Sequence, residues 1–451
     1  MLVSTLQHVY SILTESGSRL DKLAELYFDG RIDALAQLPL LTPTATEPLN
    51  PPALDVLQQS ADYETFVEYM RDNKPCIIKD LTKSWPATSN FVSECATEGP
   101  DMAFVGSQHG HLVAPVYVTT KRDGNCFGAL PRPHEIEQTV SEYCDWWALH
   151  HEIALEEQPD PVDLHYLKDW NFSASFPADN IYSCPSFFRE DWLNEAVGSY
   201  RFLYCGPAGT STRLHADVLQ SYSWSANVVG TKRWYLLPPQ YTYLLYDVFG
   251  QRLAPHFHSD TELEFELLNM FPGLKEARKH AYCVVQRTGE TIFVPSGWHH
   301  TVENLEDTLS INHNWLNGFN LTYAWAKLKT ELVLLQAQMK SERGDCGDAP
   351  KDEWVKDEGA AASVRRAEQD TLAAVGDLLL LYKVVAHQLE KKDIRLLRRR
   401  DLITIETMLT GVHEFVEDGD LFGVRSRTEY IGAELLEKVQ GRLFIIRELG
   451  I

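Results

Sequence analysis

Ser221-Tyr222-Ser223-Trp224-Ser225-Ala226-Asn227-Val228-Val229-Gly230-Thr231-Lys232-Arg233-Trp234-Tyr235-Leu236-Leu237 decides the fold. Tyr222, Trp224, Ala226 and Val228 alternate with Ser221, Ser223, Ser225 and Asn227. Successive side chains of a strand point to opposite faces, so this strand has an apolar side and a polar side. Gly230-Thr231 supplies a hairpin turn. Lys232 to Leu237 is the return strand, closed by Pro238-Pro239, because proline cannot donate to a ladder. The same period recurs at Arg201 to Cys205, at Thr291 to Val294 and at Thr308 to Trp315. In the last, Thr308, Ser310, Asn312 and Asn314 share a face opposite Leu309, Ile311, His313 and Trp315. Strands with a polar inner face and an apolar outer face suit a barrel whose lumen holds a ligand.

Just upstream stands an H-x-D pair, Arg213-Leu214-His215-Ala216-Asp217, and downstream a second histidine in Val294-Pro295-Ser296-Gly297-Trp298-His299-His300. One such pair is a weak signal. Its context strengthens it: the pair follows a Gly206-Pro207-Ala208-Gly209 turn after a strand, and His300 sits in a turn opening another. In extended chain, His215 and Asp217 point to one face and can grip one ion. Two imidazoles and a carboxylate are the facial triad that holds non-haem Fe(II) and leaves positions open. The blander readings are a turn cap for Asp217 and a core histidine for His300. His299 points away from His300 and reads as a packing or supporting residue. Lys232 reads equally as a fixed cation for a buried carboxylate or as a strand lysine reaching solvent. Thr212 is a hydroxyl donor or a plain turn threonine. Tyr166 and Asn312 carry little signal alone.

The chain has 451 residues, enough for two or three structural units. Its formal charge of −23 disfavours phosphate backbones and suits a basic peptide, or solubility alone. No apolar run approaches the ~18 residues of a membrane span. Gln7 and His8 interrupt any signal-like start. Eight cysteines without a C-x-x-C fit a reducing compartment, cytoplasm or nucleus. Residues 1–40 read as helical, 41–58 as a proline-rich linker, 59–330 as the catalytic domain and 331–451 as a helical region. Within these, 245–280 reads as a long irregular segment of the lid kind, and the stretch near 344–360 as mobile. A helix is expected from Val364 to Leu389. The basic cluster Lys391, Lys392, Arg395, Arg398, Arg399 and Arg400 reads as a solvated helix face. Apolar stretches in the C-terminal helices could pair two chains.

Together these residues resemble the JmjC family of Fe(II)- and 2-oxoglutarate-dependent oxygenases. That family's pattern adds to H-x-D…H a lysine seventeen positions after the first histidine and a Thr or Ser three before it; here they fall on Lys232 and Thr212. The resemblance implies a mainly β fold with α, a double-stranded β-helix (cupin, jelly-roll) core with N- and C-terminal helical extensions. It implies Fe(2+) on His215, Asp217 and His300, with 2-oxoglutarate and O2 as co-substrates. Lys232, Thr212 and Tyr166 would hold the far carboxylate, and Asn312 would line the pocket. Family members read P-x-x-W-W-H before the distal ligand; here His299 takes the place of the second Trp. Ser225 stands where several hydroxylases carry Asn. The blocks Tyr166 to Trp170, Asp191 to Glu195, Gly206 to Gly209, Phe293 to His300 and Ser310 to Leu321 resemble a member that hydroxylates a lysine. Its target is carbon 4 of a lysine in the eukaryotic peptide-chain release factor, and the resemblance implies that substrate. Two rivals are an N-methyl-lysine demethylase of histone tails and a non-catalytic cupin-like binding protein. The first lacks a recognisable histone-reader module, and the second has no need of all four polar site residues.

Overall fold

The computed structural model of the chain describes residues 53–93, 99–120, 133–154, 163–174, 181–250, 252–257, 261–344, 358–391, 399–418 and 425–449. The helical reading of 1–40, most of the linker and most of the stretch near 344–360 lie outside them. Asp55–Leu57, at the end of the segment read as linker, is a short strand laid parallel on Cys76–Ile78.

The strands are β1 Asp55–Leu57, β2 Cys76–Ile78, β3 Val113–Thr119, β4 His134–Thr139, β5 Leu164–Trp170, β6 Arg201–Gly206 and β7 Ser211–His215. They continue as β8 Tyr222–Val229, β9 Lys232–Leu237, β10 Tyr282–Gln286, β11 Thr291–Val294, β12 His299–Asn304 and β13 Thr308–Trp315. Nine form one sheet in the order β1-β2-β11-β8-β13-β6-β5-β3-β4, and four form a second in the order β10-β9-β12-β7. This is the double-stranded β-helix of a cupin: from β6 to β13 the chain passes back and forth between two sheets that face each other across a lumen, with β9 and β10 both in the small one. Gly230 closes the β8–β9 hairpin at φ +86°, where an added Cβ would lie 2.1 Å from the Asp307 carbonyl oxygen. Only glycine fits there.

The alternation in β8 sorts as its sequence requires. Tyr222, Trp224, Ala226 and Val228 are all fully buried on the outer face, with Phe293, Ile311 and Trp315 of the neighbouring strands. The helix Tyr63–Arg71 closes over them with Phe66, Val67 and Met70. Burying a side chain such as Phe293 contributes roughly 1.5–3 kcal/mol. Ser223, Ser225 and Asn227 face the lumen. One end of that lumen is filled by Ile77, Trp234, Leu236, Ile292, Val294 and Val302, which lock the two sheets together.

The segment 245–280, read as irregular, carries two helices in its second half: Thr261–Met270 and Leu274–His280 cover the outer face of the small sheet. Pro272 and Gly273 only separate the two helices, and Leu267, Phe271, Leu274 and Ala277 are buried beneath them. Helices Leu321–Gly344, Glu358–Glu390, Arg399–Asp418 and Arg425–Leu449 build a second core. Leu219, fully buried in the turn after Asp217, belongs to that core beside Leu321, Ala324 and Leu328. The basic cluster is partly structural: Lys391 pairs with Glu195 at 2.7 Å, and Arg400 with Asp401 at 2.7 Å. Among the described residues no helix is long and apolar enough to cross a membrane, and Cys76, Cys144, Cys184, Cys205 and Cys283 are unpaired thiols.

Candidate metal centre and co-substrate pocket

His215 ends β7, and Asp217 lies just past it rather than within a strand. The same-face argument survives because Asp217 keeps extended backbone, φ −62° and ψ 151°. His300 pairs directly across the ladder with His215. The three ligating atoms lie within 4.8 Å of one another.

Neighbouring groups fix the chemistry of each ligand. His215 Nδ1 lies 2.8 Å from the Arg213 carbonyl, and His300 Nδ1 lies 3.0 Å from the Trp298 carbonyl. A carbonyl only accepts, so both Nδ1 atoms carry hydrogen and both Nε2 lone pairs are free to bind metal. Burial, then the neighbouring His300, depress the His215 pKa to about 4, against the opposing pull of Asp217. The imidazole is neutral at pH 7. Asp217 accepts from Ser223 Oγ at 2.7 Å on Oδ2 and from Asn314 Nδ2 at 2.8 Å on Oδ1. Neutral donors leave its negative charge available. Two imidazole nitrogens and one oriented carboxylate fit Fe(II) with coordination positions to spare. His299 points elsewhere, with Nδ1 3.2 Å from Thr242 Oγ1.

Thr212 and His215 are three residues apart, an odd spacing that a regular strand would put on opposite faces. His300 faces His215 while Val302 faces Thr212, so β7 has one residue more than β12 between these pairs. That bulge turns Thr212 and His215 to the same side.

Lys232 is 1% exposed at the far end of the pocket. Its Nζ donates to Asn304 Oδ1 at 2.9 Å and lies 3.5 Å from the Tyr166 hydroxyl. Tyr166 also engages Asn304 and Thr212. No carboxylate pairs with Lys232 among the described residues. Burial pulls its pKa down from 10.5 to about 7. An enclosed ammonium beside the Tyr166 hydroxyl and the Asn304 amide is a site for an anion. The Tyr166 ring crosses Gly206, where a Cβ would come within 2.4 Å of it.

Between these two ends Asn312 projects from β13, half-buried, its Oδ1 without a partner among the described residues. Ser225 sits across the ladder from it. Four residues had no role in the sequence reading. Asn304 is signalled by period two from His300 and by its register opposite Lys232. Ser223 and Asn314 were on the polar face but not tied to Asp217. Trp234, stacked on His300 with ring centroids 5.6 Å apart, carried no signal.

Comparison with known proteins bears on this geometry. A family model described as "Cupin-like domain" matches residues 63–321. The chain is 34% identical over 307 residues to "2-oxoglutarate and iron-dependent oxygenase JMJD4" of Gallus gallus, covering 67% of each chain. It is 35% identical over 306 residues to the Homo sapiens protein of that name, covering 63% of this chain and 66% of the other. It is 36% identical over 309 residues to "Arginine-specific demethylase JMJ20" of Arabidopsis thaliana, covering 63% of this chain and 62% of the other. The alignments thus span about two thirds of these relatives' own length.

Proposed function

Because the chain belongs to the cupin-like JmjC family of iron- and 2-oxoglutarate-dependent oxygenases, we propose that it is a protein hydroxylase acting at carbon 4 of a lysine in the eukaryotic peptide-chain release factor. The observation that carries the oxygenase reading is the pairing of the His215–Asp217–His300 cluster with the enclosed, unpaired cation of Lys232 in one lumen. The similarity to JMJD4 proteins and the lysyl-hydroxylase-like sequence blocks support the substrate.

His215, Asp217 and His300 would hold Fe(II). When bound, the iron supplies oxygen activation coupled to decarboxylation of 2-oxoglutarate to succinate and CO2. The protein's part is placement. Lys232 binds the far carboxylate of the co-substrate, with hydroxyl hydrogen bonds from Tyr166 and Thr212. Asn304 holds the Lys232 ammonium in register. Ser223 and Asn314 keep Asp217 from rotating. The apolar end of the lumen, from Ile77 to Val302, excludes water on one side.

Lys232 gives this reading a pH signature. Its pKa is depressed in the free fold, so an incoming carboxylate raises it and binding takes up a proton above pH 7. Affinity for 2-oxoglutarate is therefore expected to fall as pH rises from 7 toward 9. Titration calorimetry in two buffers of different ionisation enthalpy would measure the proton uptake; observed heats that are the same in both buffers, meaning no uptake, would refute it. In the free protein the sign is opposite. The unfolded chain holds its proton up to about 10.5, so this group's contribution to stability increases from pH 7 to 10.5.

A second reading, removal of methyl groups, is favoured by the identity to the protein named an arginine-specific demethylase. Mass spectrometry of the release factor after incubation with Fe(II) and 2-oxoglutarate separates the two. One added oxygen on the lysine supports hydroxylation. Loss of a methyl group from a methylated peptide, with no oxygen added to the release factor, supports the second.

A further inference from the structure

A second bulge breaks β5 at the mouth of the lumen. Leu167 faces Cys205 and Trp170 faces Leu203, so β5 has one residue more than β6 between these pairs. Within it, Asp169 takes φ +60°, a left-handed conformation that few residues besides glycine, asparagine and aspartate adopt. Such local strain persists where the surroundings hold it, and it clusters at ligand clamps. The bulge brings the Asp169 carboxylate to the side of Tyr166 and Lys168. Oδ2 accepts from Lys168 Nζ at 2.8 Å, and Oδ1 accepts from the Tyr204 hydroxyl. The Tyr117 hydroxyl also reaches the carboxylate. Even so, 36% of the Asp169 side chain is open to solvent.

This cluster adjoins the metal triad. Tyr204 packs edge-on against Tyr166, with ring centroids 6.0 Å apart, and is close enough to feel the charge of Asp217. His215 in turn feels Lys168. Across the ladder from Tyr204 stands Ser310, fully buried on the lumen face. Its hydroxyl has no partner among the described residues, a buried polar atom open to an incoming group.

We propose that Asp169 receives the cationic end of the substrate's target side chain, an ammonium or guanidinium, and that Lys168 is a resident cation which the substrate displaces. This rests on the oxygenase reading of the site. A carboxylate has about four lone-pair positions, and with Lys168 displaced the two tyrosine hydroxyls leave room for the incoming cation. Lys168 has somewhere to go: its Nζ already lies 3.9 Å from the centre of the Tyr117 ring, a cation–π seat. Tyr204 holds the carboxylate at the rim, so that an alkyl chain anchored there extends inward past Ser310 toward the triad.

The test uses the full chain loaded with Mn(II) and 2-oxoglutarate, with n-butylammonium and n-butanol as probes. Paramagnetic relaxation of the probe protons reports their approach to the metal, without turnover. In the unaltered protein butylammonium should be relaxed about fivefold more than butanol, the size of a half-exposed ion pair. Asp169→Asn, which tolerates the same backbone conformation, should abolish that preference. Lys168→Met should increase it, the opposite direction, which no merely structural role predicts. Thermal unfolding checks that both variants fold. A preference that survives Asp169→Asn, or its absence from the unaltered protein, overturns the proposal. Failure of the unaltered chain to enhance water relaxation with Mn(II) instead refutes the metal centre, and the proposal falls with it.

Discussion

Asp217→Ala is expected to abolish turnover while the protein stays folded. The substitution removes the one anionic ligand of the triad and leaves two neutral imidazoles, a poor hold on Fe(II). A fall of at least about a thousandfold is expected, equivalent to ~4 kcal/mol of transition-state stabilisation. The fold should survive because the turn does not depend on this side chain. The Gln220 amide donates to the Asp217 backbone carbonyl at 3.0 Å, and Leu219 anchors the turn by burial. Ser223 and Asn314 lose an acceptor but are only partly buried, so water can replace it. Succinate release measured beside a thermal melt decides the matter. Activity retained in the folded variant would remove the metal assignment.

Lys232→Met separates stability from function more sharply. Methionine keeps the length and removes the charge. Taking one partner from a buried ion pair costs about 3–5 kcal/mol, so the KM for 2-oxoglutarate should rise from about a hundredfold to a few thousandfold. The free protein should be no less stable, and even more so near pH 7, because an ammonium without a counter-ion is gone from a fully enclosed position. Mn(II) binding should be unaffected. A modest rise in KM, or a co-substrate affinity unchanged in calorimetry, would show that the anion binds elsewhere.

Much of this site could be read from the chain because period two is a strong signal wherever one face is apolar. Strands β8, β9, β11 and β13 fall where their alternation puts them, to within a residue. That alternation already places Ser223, Ser225, Asn312 and Asn314 on one side. The bulges were beyond reach. The inward turn of Thr212 beside His215 depends on a single extra residue in β7, and no property of Arg213 or Leu214 announces it. The same holds for Asp169, whose left-handed backbone answers to the register of β6. Helices Thr261–Met270 and Leu274–His280 were hidden by Pro272 and Gly273, although Leu267, Phe271 and Leu274 carry the apolar face. Asn304 was missed because β12 lies buried on both sides and does not alternate clearly.

The burial of Leu219 has a consequence for anyone who would shorten this protein. The family match stops at residue 321, where the first C-terminal helix begins. Two residues beyond Asp217, however, the chain is pinned among Leu321, Ala324 and Leu328 by a side chain whose own backbone is left-handed, φ +54°. What the family match spans and what packs around the candidate metal centre therefore have different borders. A fragment trimmed to the matched part would keep His215, Asp217 and His300 in its sequence and lose the floor on which Asp217 stands.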